Sequence, residues 1–327
     1  GGASRQGILI KGGNYIDALA KAATVVFDKT GTLTRGVFSV TAVHPADLSE
    51  HELLHLAALV ERFSTHPIAQ SLREAFGNEA DGCTVDQTEE VAGQGIRARV
   101  NGKLVCVGNT KLMDSVGAHW RACHLTGTII HVAVEGVYMG HIVIADELKP
   151  DAAATIAQLK VMGVQQTVML TGDRHDVGQQ VARELHIDQV AAELMPADKV
   201  AHVEQLMCQK RAGSSLLFVG DGINDAPVLA RADVGIAMGG LGSDAAIEAA
   251  DVVLMDDKPS KVVRAISLAR QIIAIAHQNV AFAIGVKVAV LVLATFGWAS
   301  MWMAVFADVG VTVLAVLNAM RTLRLKG

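Results

Sequence analysis

Three short apolar runs in this 327-residue chain lead into carboxylates. Asp28 closes the run Ala23–Phe27, and Thr171-Gly172-Asp173 follows Thr167–Leu170. The segment Asp221-Gly222-Ile223-Asn224-Asp225 comes one glycine after Leu216–Val219, and Lys199 stands upstream of that run, near a helical start at Pro196. These residue types supply what phosphoryl transfer needs. One carboxylate can act as nucleophile. Others can hold Mg2+ against it, while a hydroxyl and an ammonium stabilise charge on the equatorial oxygens. The glycines let backbone N–H groups come close to phosphate. A single aspartate after a strand is commonly just a helix cap; three such segments in this order point to chemistry.

The elements that must position them follow from the pattern. Apolar, β-branched runs that stop abruptly read as fully buried parallel strands. They recur at Val234–Ala237 and Val252–Met255, with helical patterns at Asp151–Met162, His175–Leu185 and Pro196–Lys210. That alternation predicts a doubly wound parallel α/β sheet, whose ligands bind beyond the carboxyl ends of its strands. From about Gly36 to Ile144 the alternation breaks. Helical stretches at Ser49–Phe63 and Pro67–Phe76 precede hairpins about Asn101-Gly102 and Glu135-Gly136, which predicts an inserted α+β domain.

Composition excludes other classes. Net charge is −5 with scattered basic residues, and aromatic content is 4%, so neither a basic footprint nor stacking platforms for nucleic acid are present. The four cysteines (Cys83, Cys106, Cys123, Cys208) form no CxxC pair and read as reduced thiols rather than a disulfide or structural zinc site. His44, His119 and His131 read as surface or packing residues. The chain lacks a Met start and a signal peptide, so an upstream portion is expected.

Apolar content gathers at the C-terminus. Lys287 is the only formal charge from Asn279 to Thr295, and Asp308 the only one from Met301 to Met320. Each stretch can cross a hydrocarbon core of about 30 Å as a helix. Trp298 and Trp302 suit the interface between them, and Arg264, Arg270, Arg321, Arg324 and Lys326 place both ends in the cytoplasm. Opposite charges inside such spans are costly and usually face a partner or a transport path.

The residues DKTGTLT at 28–34 and GDGINDAP at 220–227, with TGD at 171–173 and PADK at 196–199, resemble the signatures of P-type ATPases, within the haloacid-dehalogenase-like superfamily. The resemblance implies an aspartyl-phosphate at Asp28. It implies Mg2+ held by Asp28, the Thr30 carbonyl and Asp221, with Asp225 nearby. Thr171, Gly172, Asp173, Lys199 and Asn224 complete the implied catalytic set. Soluble phosphatases of the superfamily typically carry an acid two places after the nucleophile; here Thr30 stands there and cannot shuttle a proton near neutral pH. Slow hydrolysis of the acyl-phosphate favours a pump over a phosphatase.

Glu61, the pair His66-Pro67, GQGI at 93–96 and Gly108-Asn109 resemble the nucleotide-binding domain of heavy-metal P-type ATPases. By that resemblance Glu61 and His66 contact or orient adenine, and Gly93, Gly95 and Asn109 lie at the nucleotide. Asp308 followed by Gly310 resembles the zinc/cadmium/lead subgroup, with Asp308 a ligand of the transported cation and Lys287 its counter-ion. A carboxylate oxygen also suits Zn2+ better than Cu+. The expected organisation is a discontinuous phosphorylation domain (1–35 and 145–262), a nucleotide-binding domain (36–144) and a transmembrane helical hairpin (263–327, spans near 278–297 and 301–320). Expected partners are ATP, a divalent cation (Zn2+, Cd2+ or Pb2+), the lipid bilayer, and an upstream actuator domain and further spans of the same pump. The expected function is export from the cytoplasm across the cell membrane. A soluble-type phosphohydrolase and a non-catalytic nucleotide-binding fragment are the competing expectations.

Overall fold

The computed structural model describes residues 2–64, 66–77, 82–125, 127–221, 225–239, 244–298 and 300–324. The chain divides into two units, Gly1–Leu33 with Lys149–Gly327, and Thr34–Leu148.

The first unit is built on a seven-stranded sheet. Its order is Ile8–Ile10, Val252–Leu254, Val234–Met238, Ser215–Gly220, Ala22–Asp28, Gln166–Leu170, Gln189–Ala191. Every pairing is parallel except that of Ile8–Ile10 with Val252–Leu254. The middle strands are covered on both faces, which is why they read as unbroken apolar runs rather than as alternations. Val26, Phe27, Val168, Leu170, Leu216 and Phe218 are all at or below 2% exposure, so side chains of both parities lie inside. Helices Ala152–Val161, His175–Glu184 and Pro196–Gln209 fall where the pattern put them. The two edge strands are three residues each, too short to leave a periodic signal.

The 36-residue helix Ser260–Thr295 begins well before the expected apolar span near 278. Its first half buries Val262, Ala265, Ile266, Leu268, Ala269 and Ile275. That half packs on helices Gly13–Ala20 and Ala152–Val161. Arg270 donates to the carbonyls of Ala20 (3.1 Å) and Met162 (2.5 Å). Its second half is apolar and outward-facing, as is the run Met301–Thr322; both are long and apolar enough to cross a membrane. Asn279 and Asn318 join the two through an amide hydrogen bond of 2.7 Å.

The second unit carries a six-stranded antiparallel sheet. Its order is Thr34–Pro45, Val137–Leu148, Thr128–Val134, Lys103–Gly108, Gly95–Val100, Val85–Val91. Both expected hairpins form, and Asn101, Gly102, Glu135 and Gly136 all have positive φ (49°, 81°, 49°, 78°), as a two-residue turn matched to strand twist demands. Helices Glu50–Val60 and Pro67–Phe76 cover one face, burying Leu53, Ala57, Val60 and Leu72 against Ile96, Val107, Val132 and Ile142. Ser49 and Glu52 close the start of the first helix as a reciprocal capping box. Alternate residues of the same strands, Cys106, Ala133 and Tyr138, face the opposite side and pack with Leu112, Met113 and Ala118.

Candidate functional site

Strand register brings the acidic segments together. Asp28 pairs with Leu170 across one neighbour, and Phe27 pairs with Val219 across the other. Thr171 therefore stands one step beyond Asp28 and Gly220 level with it, which puts Asp221 one step beyond on the other side, at carboxyl ends that share one edge of the sheet. Carboxylate oxygens of Asp28, Asp221 and Asp225 lie within 4.8 Å of one another. The Lys199 ammonium reaches in from the first turn of Pro196–Gln209, at 2.6 Å from Asp28 Oδ1 and 3.0 Å from Asp225 Oδ1.

Asp28 and Asp225 are buried, at 6% and 2% exposure. Burial, then Asp225, pushes the Asp28 carboxyl up to about 7 against the pull of Lys199. Burial and Asp225 also raise Asp221. Burial alone would lower Lys199, but Asp28 and Asp225 outweigh it and hold the ammonium charged. Three crowded carboxylates facing one ammonium are an oxygen-rich, over-negative donor set, and that chemistry fits Mg2+.

The turn after Asp28 explains how the carboxylates come so close. Gly31 has φ +71°, and a Cβ there would lie 1.9 Å from Asp221 Oδ2. Glycine is required on both counts. Thr30, one residue earlier, is exposed and extended (φ −72°, ψ 131°).

Two lysines that the sequence did not single out support this turn. Lys149, 5% exposed, donates to the Gly31 carbonyl (2.7 Å) and to Asp257 Oδ1 (2.6 Å). Lys29, also buried, pairs with Asp173 at 2.6 Å. Nothing local marks Lys149, because its partners are 118 and 108 residues away. Thr171 is buried and its hydroxyl accepts from the Asp173 N–H at 3.0 Å. Gly172 packs a step further along, its Cα facing the Leu194 carbonyl. Asn224 lies outside the described residues. A cleft of about 650 Å3 lined by Gln179, Arg183, His186 and Asp188 sits at the edge strand and holds none of these groups.

The raised Asp28 sets a pH dependence. Its folded pKa lies above the unfolded value of 3.8, so its favourable contribution is complete below about pH 4 and is lost as pH rises through about 7. Asp28→Asn does not titrate. In Mg2+-free buffer the variant should therefore gain on the native chain as pH rises from 5 to 8, by about 2–3 kcal/mol at 1.36 kcal/mol per unit over the two units from pH 5 to the folded pKa. Thermal midpoints at the two pH values, with and without Mg2+, measure this. A difference that stays constant with pH would contradict the crowding described above.

In the inserted unit, Glu61 is 7% exposed, and burial raises its carboxyl. His66 is exposed and caps helix Pro67–Phe76, its Nδ1 accepting from Ile68 N–H at 3.3 Å. Arg73 ties their turn together by donating to the carbonyls of Glu61 (2.8 Å) and Ser64 (3.0 Å). Asn109 donates to the Gly93 carbonyl at 2.9 Å while its Oδ1 caps helix Thr110–Ser115. The two glycines differ. Gly93 (φ +67°) faces open space, whereas a Cβ on Gly95 would lie 2.2 Å from the Val107 carbonyl. Gly95 is thus accounted for by strand-to-strand approach, and Gly93 is the one whose open side is free for a ligand.

Among the apolar helices, Lys287 Nζ and Asp308 Oδ1 are 3.2 Å apart. Asp308 lies in a single π-helical turn, Phe306–Gly310, where a Cβ on Gly310 would meet the Phe306 ring at 2.5 Å. Such turns are frequent at functional sites.

A haloacid dehalogenase-like hydrolase family model matches residues 22–233. A cadmium, zinc and cobalt-transporting ATPase of Bacillus subtilis (strain 168) is 53% identical over the whole chain, which covers 47% of that protein. A zinc-transporting ATPase of Synechocystis sp. is 54% identical over 98% of the chain, which covers 44% of it. The chain thus spans about half the length of the curated relatives it matches. Among solved structures, a zinc-transporting PIB-type ATPase in an E2.Pi state superposes with TM-score 0.87 at 40% identity, covering 99% of this chain and 53% of the other. The catalytic domain of the CPx-ATPase CopB-B gives TM-score 0.60 at 30% identity, covering 80% of this chain and 96% of that domain.

Proposed function

Because this chain belongs to the haloacid dehalogenase-like hydrolase family, we propose that it is the phosphorylating core and final membrane hairpin of an ATP-driven pump for a divalent heavy-metal cation. The observation that carries this reading is a buried carboxylate at a strand tip, in contact with an ammonium and crowded by two further carboxylates, with no acid at the second position beyond it.

Asp28 is the nucleophile. One of its oxygens attacks the γ-phosphorus of ATP, ADP leaves, and the aspartyl mixed anhydride remains. Mg2+, bound by Asp28, Asp221 and the Thr30 carbonyl with Asp225 nearby, would neutralise charge between carboxylate and phosphoryl oxygens. Lys199 favours the ionised form of Asp28 against the opposing effect of burial and then donates to the phosphoryl oxygens. Thr171 contacts the same oxygens, and Gly172 and Asn224 belong to the same catalytic set. Asp173 anchors Lys29 beside the nucleophile.

Residues 36–144 serve as the nucleotide-binding domain. Glu61 and His66 orient adenine, and Gly93, held by Asn109, offers its open side to the nucleotide. The residues after about 263 form a multi-pass protein's last two spans, with the catalytic units in the cytoplasm. Asp308 is a ligand of the transported Zn2+, Cd2+ or Pb2+, and Lys287 neutralises it when the ion is absent. An actuator domain and further spans of the same protein complete the pump.

Incubating the chain with γ-labelled ATP and Mg2+ tests the central claim. Acid-stable, hydroxylamine-sensitive label should appear on the protein and vanish in Asp28→Asn. Rapid phosphate release with no labelled protein would instead favour a phosphohydrolase, and nucleotide binding with neither a non-catalytic role. For the cation assignment, Asp308→Ala in the full-length pump should abolish zinc-stimulated turnover while ATP binding persists. Unchanged stimulation would remove Asp308 from the transport path.

A further inference from the structure

The inserted unit carries a cluster of nitrogen and sulfur donors that the phosphoryl-transfer site does not use. His44, His141 and His131 form one cross-strand row, His44 paired with His141 and His141 with His131. Residues paired in this way lie on the same face of a sheet. Their neighbours Val43, Ile142 and Val132 pack under helix Glu50–Val60, so the row faces the opposite side, toward the segment that follows Ala118. Cys123 comes from that segment. Ligating atoms of His44, Cys123 and His141 lie within 4.8 Å of one another.

A second observation indicates that something is meant to fill the gap. His141 is 8% exposed, and its Nε2 has no hydrogen-bond partner among the described residues. A buried ring nitrogen left bare in this way is costly, because it has given up its water without gaining a partner. Its other nitrogen is committed, since Nδ1 hydrogen-bonds the Tyr138 hydroxyl at 3.0 Å, which also meets His131 Nδ1 at 3.1 Å. This is the arrangement of a metal ligand held by an outer partner: Tyr138 fixes ring orientation through Nδ1 and leaves Nε2 as the uncommitted nitrogen.

We propose that His44, Cys123 and His141 bind one thiophilic divalent cation, Zn2+ or Cd2+, with a water completing four-fold coordination. Soft sulfur with imidazole selects for such ions over Mg2+ or Ca2+. Tetrahedral zinc places its ligand atoms roughly 3.4–3.7 Å apart. The present spacing must close by about an ångström, which exposed His44 and the irregular segment around Cys123 can supply by side-chain rotation. Binding converts the Cys123 thiol to thiolate and releases its proton to solvent. Strands Thr34–Pro45 and Val137–Leu148 carry the chain into and out of the unit, so the ion would clip together the two strands that bracket it.

Co2+ is the probe, titrated into the detergent-solubilised 327-residue chain. A sulfur-to-metal charge-transfer band should appear at one equivalent and be displaced by Zn2+ or Cd2+. It reports thiolate ligation, so cation binding at the carboxylates does not produce it. Cys123→Ser should abolish the band. His44→Ala, at an exposed position, should weaken Co2+ binding about tenfold or more, while Cys208→Ser and Asp28→Asn leave it unchanged. Three results overturn the proposal: no band in the native chain, as when a water alone satisfies His141; a band that survives Cys123→Ser; or undiminished affinity in His44→Ala, which would mean adventitious binding to a lone thiol.

Discussion

Placing an aspartate at Thr30 should shorten the life of phosphorylated Asp28 by about 100-fold. Thr30 is exposed and two residues beyond the nucleophile, and its hydroxyl cannot exchange protons near neutral pH. A carboxylate at this point can take a proton from an attacking water, and positioned general bases contribute about 10²–10⁴-fold. Thr30→Asp should therefore label less at steady state, yet release phosphate faster per labelled molecule. Thr30→Ala, which removes the hydroxyl without adding a base, should leave the lifetime unchanged. Decay of label after a chase with unlabelled ATP gives both rates. If Thr30→Asp decays no faster than the native chain, the absence of an acid is not what preserves the intermediate.

Gly31→Ala should reduce Mg2+-dependent phosphorylation by about 100-fold while lowering stability only modestly. The added methyl would lie 1.9 Å from Asp221 Oδ2, and Asp221 must swing away to admit it. A left-handed backbone costs a residue with a Cβ about 1–2 kcal/mol, which the fold can absorb. The lost carboxylate is the larger matter for catalysis. Asp221→Ala should show a similar defect, and the two changes together should be little worse than either, because they remove the same interaction. Phosphorylation rates against Mg2+ concentration in the three variants would reveal it. Fully additive losses would place the Gly31 effect elsewhere.

The sheet and the carboxylate cluster were legible because buried parallel strands leave an unmistakable apolar signature, and each ends on a residue that has no packing reason to be there. The run before Asp28 and the strand Ala22–Asp28 differ by one residue at each end. Helix Pro67–Phe76 was likewise readable, since Pro67 opens it and Gly77 (φ +70°) closes it. What escaped was whatever depends on register between distant segments. Lys149 looks like any lysine before a proline until the fold brings Gly31 and Asp257 to it. Gly95 carries a packing requirement that its motif does not show, since a Cβ there would lie 2.2 Å from the Val107 carbonyl across the sheet. His44 and His141 are 97 positions apart yet paired, and no spacing rule for metal ligands reaches across two strands and a loop. The polar strand Val85–Val91 and the long strand Thr34–Pro45 left no clear alternation and were not anticipated.

The helix Ser260–Thr295 has a mechanical consequence. It is one uninterrupted rod, clamped to the seven-stranded sheet's unit at Arg270, whose guanidinium grips Ala20 just ahead of the strand that ends in Asp28. No flexible joint separates that clamp from Lys287, about 25 Å further along at 1.5 Å per residue. A tilt of about five degrees at the clamp would sweep the lysine sideways by roughly 2 Å, enough to part it from Asp308. Chemistry at the strand tip and the grip on an ion would then be two ends of a single stiff lever.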